Sequence, residues 1–183
     1  LRGSDDGVTI TNITPTSGGG DASVDEEDLP AGSDSQKEST TAEGDFNISA
    51  PDGIASLEVG TFAVFVNGVF QVNSGGTTPL GNTIRFTAYD PATGKVSYTY
   101  TLTAAEQHAA GQNENARFEE LPVTLRDVDG SVDTDTLSVK IVDDVPTATD
   151  DAFEILEGAA SITFDVDTND VPGADGLGSR DFT

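Results

Sequence analysis

Apolar and polar residues alternate along most of the chain between residues 45 and 142. A period of two places successive side chains on opposite faces of a β-strand. The clearest example is KVSYTYTL, residues 95–102, in which Val96, Tyr98, Tyr100 and Leu102 share one predicted face. The same pattern predicts further strands in DFNIS, IASLEV, FAVFV, NTIRFTAYD, LPVTL and DTLSVKIV, with Ile84, Phe86 and Ala88 on one face and Leu137, Val139 and Ile141 pointing inward. These segments are typical of half-buried antiparallel strands.

Turn residues separate the predicted strands. Asn67-Gly68 lies between two apolar runs in FAVFVNGVFQV, which is the strongest short-range signal for a β-hairpin. A second turn is predicted at PDG, residues 51–53. About seven or eight short strands with regular turns predict an all-β, immunoglobulin-like or cadherin-like antiparallel β-sandwich with a Greek key. A β-barrel is the alternative.

One segment departs from the strand pattern. In TAAEQHAAG, residues 103–111, Thr103 precedes Glu106 by three residues as in a capping box, and Gly111 can end a helix. We therefore expect one short helix of about two turns between strands.

The distribution of apolar residues also predicts the domain organisation. Val8, Ile10 and Ile13 indicate one strand, and the acidic loop that follows has only Val24 and Leu29 as apolar anchors. We expect residues 1–7 to be a cloning remnant or linker and residues 8–145 to form the sandwich. Residues 146–183 are too few to bury a core alone and are predicted to be a connector with the opening strands of a following or split domain. The chain is then a piece of a longer protein.

Charge narrows the possible functions. The chain has 33 Asp and Glu against 8 Lys and Arg, a formal net charge of -25. Such a surplus disfavours binding to nucleic acid or to an anionic membrane surface. No stretch approaches the roughly 20 apolar residues of a membrane-spanning helix, so direct membrane insertion is not expected. The absence of Cys excludes disulfides and thiolate metal sites. Two explanations of the charge remain: a solvated acidic surface, or carboxylates that hold divalent cations.

Carboxylates concentrate on either side of the last predicted strand. Asp127 and Asp129 flank a valine before Gly130, so both can turn toward one point at a loop tip. Beyond the strand, two aspartate pairs surround Pro146 in KIVDDVPTATDD. A strand of about seven residues, roughly 23 Å long, would separate these groups into two poles.

Calcium takes roughly 6 to 8 oxygen ligands in irregular geometry, which two or three carboxylates, a carbonyl and water can supply. We therefore predict Ca²⁺ at these poles, with Glu26 or Glu27 of the acidic loop as a further ligand of the connector site. The predicted ligands are Asp127, Asp129, Asp143, Asp144, Asp150, Asp151 and Glu26. The alternative is that these are solvated turn residues, in which Asp is common.

Few residues in the sequence indicate an enzyme active site. His108 is the only histidine, and we expect it on the surface of the short helix. A Ser-His-Asp triad would have to use it, but no G-x-S-x-G sequence occurs. A non-enzymatic role is predicted. Recognition of a glycan or peptide through the loops at residues 75–82 or 111–115 is the alternative to a purely structural role.

Several motifs in order carry a family resemblance. VDEEDLPAGSD, GDFNISAPDGIASLEV, YTYTL and LRDVDGSVDTDTLSVKIVDDVPTATDD together resemble the immunoglobulin-like repeats of giant repeats-in-toxin (RTX) adhesins exported by bacterial type I secretion, over residues 7–150. The resemblance implies an extracellular segment at the bacterial cell surface, rigidified by calcium, that spaces or displays ligand-binding domains for attachment and biofilm formation. Its implied partners are neighbouring domains of the same long chain, with a cell-surface glycan or protein bound through other domains.

Overall fold

A computed structural model of the chain describes residues 7–109, 115–152, 167–174 and 176. The described residues form β-strands in two sheets, with two single 3₁₀ turns at Thr16–Gly18 and Glu26–Asp28. The strands are β1 (Thr9–Thr11), β2 (Ala22–Asp25), β3 (Thr41–Ser49), β4 (Ile54–Val59), β5 (Phe62–Val66), β6 (Val69–Phe70), β7 (Ser74–Thr77), β8 (Thr83–Asp90), β9 (Lys95–Thr101), β10 (Ala116–Asp127) and β11 (Val132–Val142).

The strand order is that of an immunoglobulin-like sandwich. One sheet has the order β1-β3-β9-β8-β7 and the other β2-β11-β10-β4-β5-β6. All these pairs are antiparallel except β2 and β11, which are parallel. Immunoglobulin domains place strands ABED in one sheet and CFG in the other, and β1-β3-β9-β8 and β4-β10-β11 follow these two orders. The predicted all-β sandwich is confirmed.

The inward faces of the two sheets form the core. Tyr98, Tyr100 and Leu102 are each at most 2% exposed, and Leu137, Val139 and Ile141 of the facing sheet are fully buried. Complete burial of an aliphatic side chain contributes about 1.5–3 kcal/mol to folding. The predicted inward faces of β9 and β11 are confirmed.

The hairpin between β5 and β6 also follows the sequence. Asn67 and Gly68 have φ angles of 50° and 76°, the positive values that a type I′ turn requires at both central positions. The flanking residues Val66 and Val69 are directly paired across the two strands. The predicted Asn-Gly turn is confirmed.

Two local predictions are wrong. No helix is present at residues 103–109 because the backbone there bonds to distant side chains: Thr103 N–H donates to Asn82 Oδ1 (3.0 Å) and Glu106 N–H donates to Glu26 Oε1 (2.7 Å). The last two residues of the predicted helix, 110 and 111, lie outside the described residues. Ala88 is exposed rather than inward because a β-bulge after Phe86 reverses the side-chain alternation.

The acidic loop is more regular than its composition suggested. It contains β2, which pairs with β11, and Val24 and Leu29 are buried anchors, as predicted. Farther along the chain, Thr147 and Val171 exchange backbone hydrogen bonds of 2.9 Å, so residues 167–174 return to the connector. The opening strands predicted after the connector fall mostly on residues 153–166, outside the described residues. No helix among the described residues is long and apolar enough to cross a membrane.

Candidate metal centres

The β10–β11 hairpin has carboxylates at both ends. Its strands pair from Ala116 and Val142 at one end to Arg126 and Val132 at the other, so Asp127 lies at the tip and Asp143 just beyond the open end. The 11 residues of β11 span roughly 36 Å at about 3.3 Å per residue. The separation into two poles is therefore as predicted. We call them the hairpin tip and the connector end.

At the hairpin tip, a buried carboxylate organises the loop. Asp127 is 3% exposed, and its Oδ1 accepts hydrogen bonds from the backbone N–H groups of Gly130 (2.9 Å) and Ser131 (2.8 Å). Its Oδ2 is buried and has no hydrogen-bond partner among the residues that the structure describes. One carboxylate oxygen thus holds the turn while the other is left for a further interaction.

Two more carboxylates meet Asp127 at this point. Asp129, predicted as a ligand, and Asp52, which was not, each bring a carboxylate oxygen, and the three oxygens lie within 4.8 Å of one another. Asp52 lies in the PDG turn that precedes β4. Because β4 pairs antiparallel with β10, this turn is placed beside the end of β10. The PDG turn could be predicted from sequence, but its position beside the end of β10 could not.

The electrostatics of the tip favour the ionised form of Asp127. Burial alone would raise the pKa of this carboxyl, but hydrogen bonding to Asp129 and to the N–H groups of Ser131 and Gly130 outweighs burial and holds the pKa below its usual 3.8. The carboxylate is therefore charged at neutral pH. A set of ligands made only of oxygen atoms suits a hard cation such as Ca²⁺.

At the connector end, Glu26, His108 and Asp143 form a second group whose ligand atoms lie within 4.8 Å of one another. Glu26 is fully buried, and its Oε1 lies 2.9 Å from His108 Nε2. The His108 side chain is 3% exposed, so the predicted surface position of this histidine is wrong. The contact between Glu26 and His108 could not be predicted from sequence, because the two residues are 82 positions apart and no local pattern links them.

The other connector aspartates have different surroundings. Asp144 is 5% exposed, and its carboxylate accepts hydrogen bonds from Ser33 N–H (2.7 Å), Ser33 Oγ (2.5 Å) and Ala174 N–H (2.8 Å). It therefore ties the acidic loop and residues 167–174 to the end of β11. Asp150 and Asp151 are exposed. None of these three belongs to a potential metal group within the described part of the chain.

A third group lies on the acidic loop itself, where Asp28, Asp34 and Glu38 come within 4.8 Å of one another through their carboxylate oxygens. The negative charges of Asp28 and Asp34 raise the pKa of Glu38. Similarly, the charge of Asp25 is the main cause that raises the pKa of Glu27. The loop thus accumulates repulsion that a bound cation would relieve.

No protein-family model, curated protein or solved structure matches this chain.

Proposed function

We propose that this chain is a calcium-stabilised structural module, an extender or spacer, of an extracellular bacterial adhesin that supports attachment and biofilm formation. The observation that supports calcium best is the buried Oδ2 of Asp127, which has no hydrogen-bond partner within the described part of the chain. A buried charged oxygen without a partner is costly to the folded state. A cation held jointly with Asp52 and Asp129 would remove that cost.

The choice of calcium follows from the ligands and the expected location. The hairpin tip offers carboxylates that can supply several oxygens, with the remaining positions filled by carbonyls or water. Extracellular modules bind calcium with dissociation constants of about 10⁻⁴ to 10⁻³ M. A module exported by type I secretion would therefore gain its calcium outside the cell.

The adhesin context rests on the motif resemblance. In that setting, Asp150 and Asp151 are exposed after the last strand of the sandwich, where a neighbouring domain of the same chain could share a cation with them. Asp144 would fix the direction in which the connector leaves the sandwich, since it already joins three segments. A calcium ion shared between Asp150, Asp151 and the neighbouring domain would stiffen such a joint, as a spacer requires.

The alternative, a glycan-binding or peptide-binding module, has less support. In the first candidate loop, Thr78 Oγ1 and Leu80 N–H donate to the buried Glu119 (2.7 Å and 2.8 Å), so the loop is held against the molecule's own core. Residues 111–114 of the second loop lie outside the described residues. Specific glycan or peptide affinity of the isolated chain would favour this alternative.

Thermal unfolding in calcium and in EDTA tests the proposal. Calcium at about 100 times its dissociation constant should add about 2.7 kcal/mol to the unfolding free energy. For a chain of 183 residues this corresponds to a rise in Tm of roughly 5–11 °C. The substitution Asp127→Asn should abolish most of the rise, because it replaces a charged ligand oxygen by an amide. In EDTA the variant should be no more stable than wild type, because the lowered pKa of Asp127 means that its ionised form stabilises the fold.

The matched control is Glu120→Gln, which removes one negative charge from an exposed position on the same strand. It should leave the calcium-dependent rise intact. An unchanged Tm with calcium in the wild-type protein would refute calcium stabilisation. If Asp127→Asn and Glu120→Gln both lost the calcium-dependent rise equally, the rise would be due to general charge screening and not to a site at Asp127.

A further inference from the structure

The connector end differs from the hairpin tip because it contains a nitrogen ligand. Glu26 is completely buried and His108 nearly so, while Asp143 is partly exposed. Glu26 Oε1 accepts a hydrogen bond from the backbone N–H of Glu106 (2.7 Å) and also lies 2.9 Å from His108 Nε2.

The amide of Asn115 determines which imidazole nitrogen carries a proton. Its Nδ2 donates to Asp143 Oδ2 (2.8 Å) and to the carbonyl oxygen of Ala109 (3.3 Å), so its Oδ1 is the atom that faces His108 Nδ1 (3.1 Å). An oxygen acceptor at Nδ1 requires a proton there. In the neutral imidazole, Nε2 would then direct a lone pair at Glu26 Oε1, 2.9 Å away. The lone pair of Nε2 and the carboxylate oxygen are then two ligand atoms that face one point, and Asp143 supplies a third within 4.8 Å.

We propose that Glu26, His108 and Asp143 form a binding site for a borderline divalent cation of the Zn²⁺ type. Imidazole nitrogen with carboxylate oxygen suits Zn²⁺, whereas Ca²⁺ prefers oxygen alone. Neighbouring ligand atoms around tetrahedral Zn²⁺ are about 3.3 Å apart, so atoms that already lie within 4.8 Å need only small side-chain rotations. Three protein ligands leave a fourth position for water.

Asn115 acts as a positioning residue for this site. Ligating histidines generally donate their other N–H group to an oxygen acceptor, which fixes the tautomer and ring orientation. Asn115 supplies that acceptor and also contacts Asp143, so one side chain orients two of the three ligands. The site goes beyond the proposed calcium function and does not depend on calcium at the hairpin tip. From sequence, Glu26 and Asp143 were predicted to bind calcium; here we assign them a different class of metal.

The presence of a single histidine makes a direct test possible. In ¹⁵N-labelled, tag-free protein, long-range ¹H–¹⁵N spectra report only His108. One equivalent of ZnCl₂ should shift the Nε2 resonance strongly while Nδ1 stays protonated, and CaCl₂ should not. If excess zinc leaves Nε2 unchanged, or calcium shifts it equally, the proposal is wrong.

Calorimetric titration with ZnCl₂ measures the zinc affinity of the wild-type protein and of three variants. His108→Gln should weaken zinc binding at least about tenfold and Asn115→Ala about 10- to 100-fold, although the latter removes no ligand. Glu120→Gln, which lies on the exposed face of β10, should bind like wild type. Equal affinity in all four proteins would overturn the site. Far-UV circular dichroism checks folding, and His108→Gln should retain the calcium-dependent rise in Tm, so the two proposals can fail separately.

Discussion

The tyrosines provide a direct test of the sandwich core. The chain has three tyrosines and no tryptophan, so phenolate absorbance can be followed without interference. Burial raises the pKa of Tyr98 well above its usual 10.0, and the charges of Asp21 and Asp45 add to the effect. Burial and the hydrogen bond to Glu119 (2.5 Å) do the same for Tyr100. The remaining tyrosine, Tyr89, is less buried, and its pKa is raised mainly by burial.

The sign of the pH dependence follows from these shifts. Below pH 10 the two core phenols hold their protons in both the folded and the unfolded chain, so their contribution to stability is complete. Above pH 10 the unfolded chain loses these protons while the folded chain keeps them. The unfolding free energy therefore falls by about 1.36 kcal/mol per pH unit for each tyrosine, or about 2.7 kcal/mol per pH unit for both, until the pH reaches their folded pKa values.

Urea unfolding at a series of alkaline pH values measures this slope, and near-ultraviolet absorbance with far-UV circular dichroism follows ionisation. We expect Tyr89 to ionise while the fold persists, and Tyr98 and Tyr100 only as it is lost. Tyr98→Phe should reduce the slope by about 1.4 kcal/mol per pH unit, whereas Tyr89→Phe should change it less. Charge repulsion that is common to all variants cancels in this comparison. Three phenolates formed in one step with native circular dichroism would refute the burial of the core tyrosines.

Two further predictions concern buried carboxylates. Glu119→Ala should lower the unfolding free energy, measured in urea, by about 3–5 kcal/mol, because it leaves the hydroxyls of Thr78 and Tyr100 without their acceptor. The control Glu120→Ala should lower it by less than about 0.5 kcal/mol. Equal effects of the two would show that Glu119 does not join the sheets. Asp144→Ala should lower the unfolding free energy by about 2–4 kcal/mol and speed proteolysis of the acidic loop, because Ser33 and Ala174 lose their acceptor. Proteolysis as slow as in wild type would show that Asp144 does not hold the loop in place.

The strands could be predicted because their signal is local. IASLEV and β4 coincide from Ile54 to Val59, and the alternation in KVSYTYTL places Tyr98 and Tyr100 in the core without knowledge of any partner strand. Side-chain periodicity depends only on neighbours along the chain. Where a bulge interrupts the period, as before Ala88, the same reasoning fails.

The residues that make up the candidate metal centres could not be predicted in the same way. Asp52 reaches the hairpin tip through the pairing of β4 with β10, and His108 reaches Glu26 across 82 residues. The predicted helix fails for a related reason, since side chains far along the chain accept the N–H groups of Thr103 and Glu106. Local capping signals contribute only about 1 kcal/mol, so long-range hydrogen bonds to buried groups can override them.

A net charge of -25 describes the whole chain, but charge compensation is local. Screening at physiological ionic strength acts over about 8 Å, far less than the roughly 36 Å between the two ends of the β10–β11 hairpin. A cation at one end therefore cannot neutralise carboxylates at the other. Each end therefore needs its own cation. The described ligand atoms around Asp127 are carboxylate oxygens, whereas the group around Glu26 includes an imidazole nitrogen. The two ends would accordingly select different cations and bind them independently, which no count of acidic residues reveals.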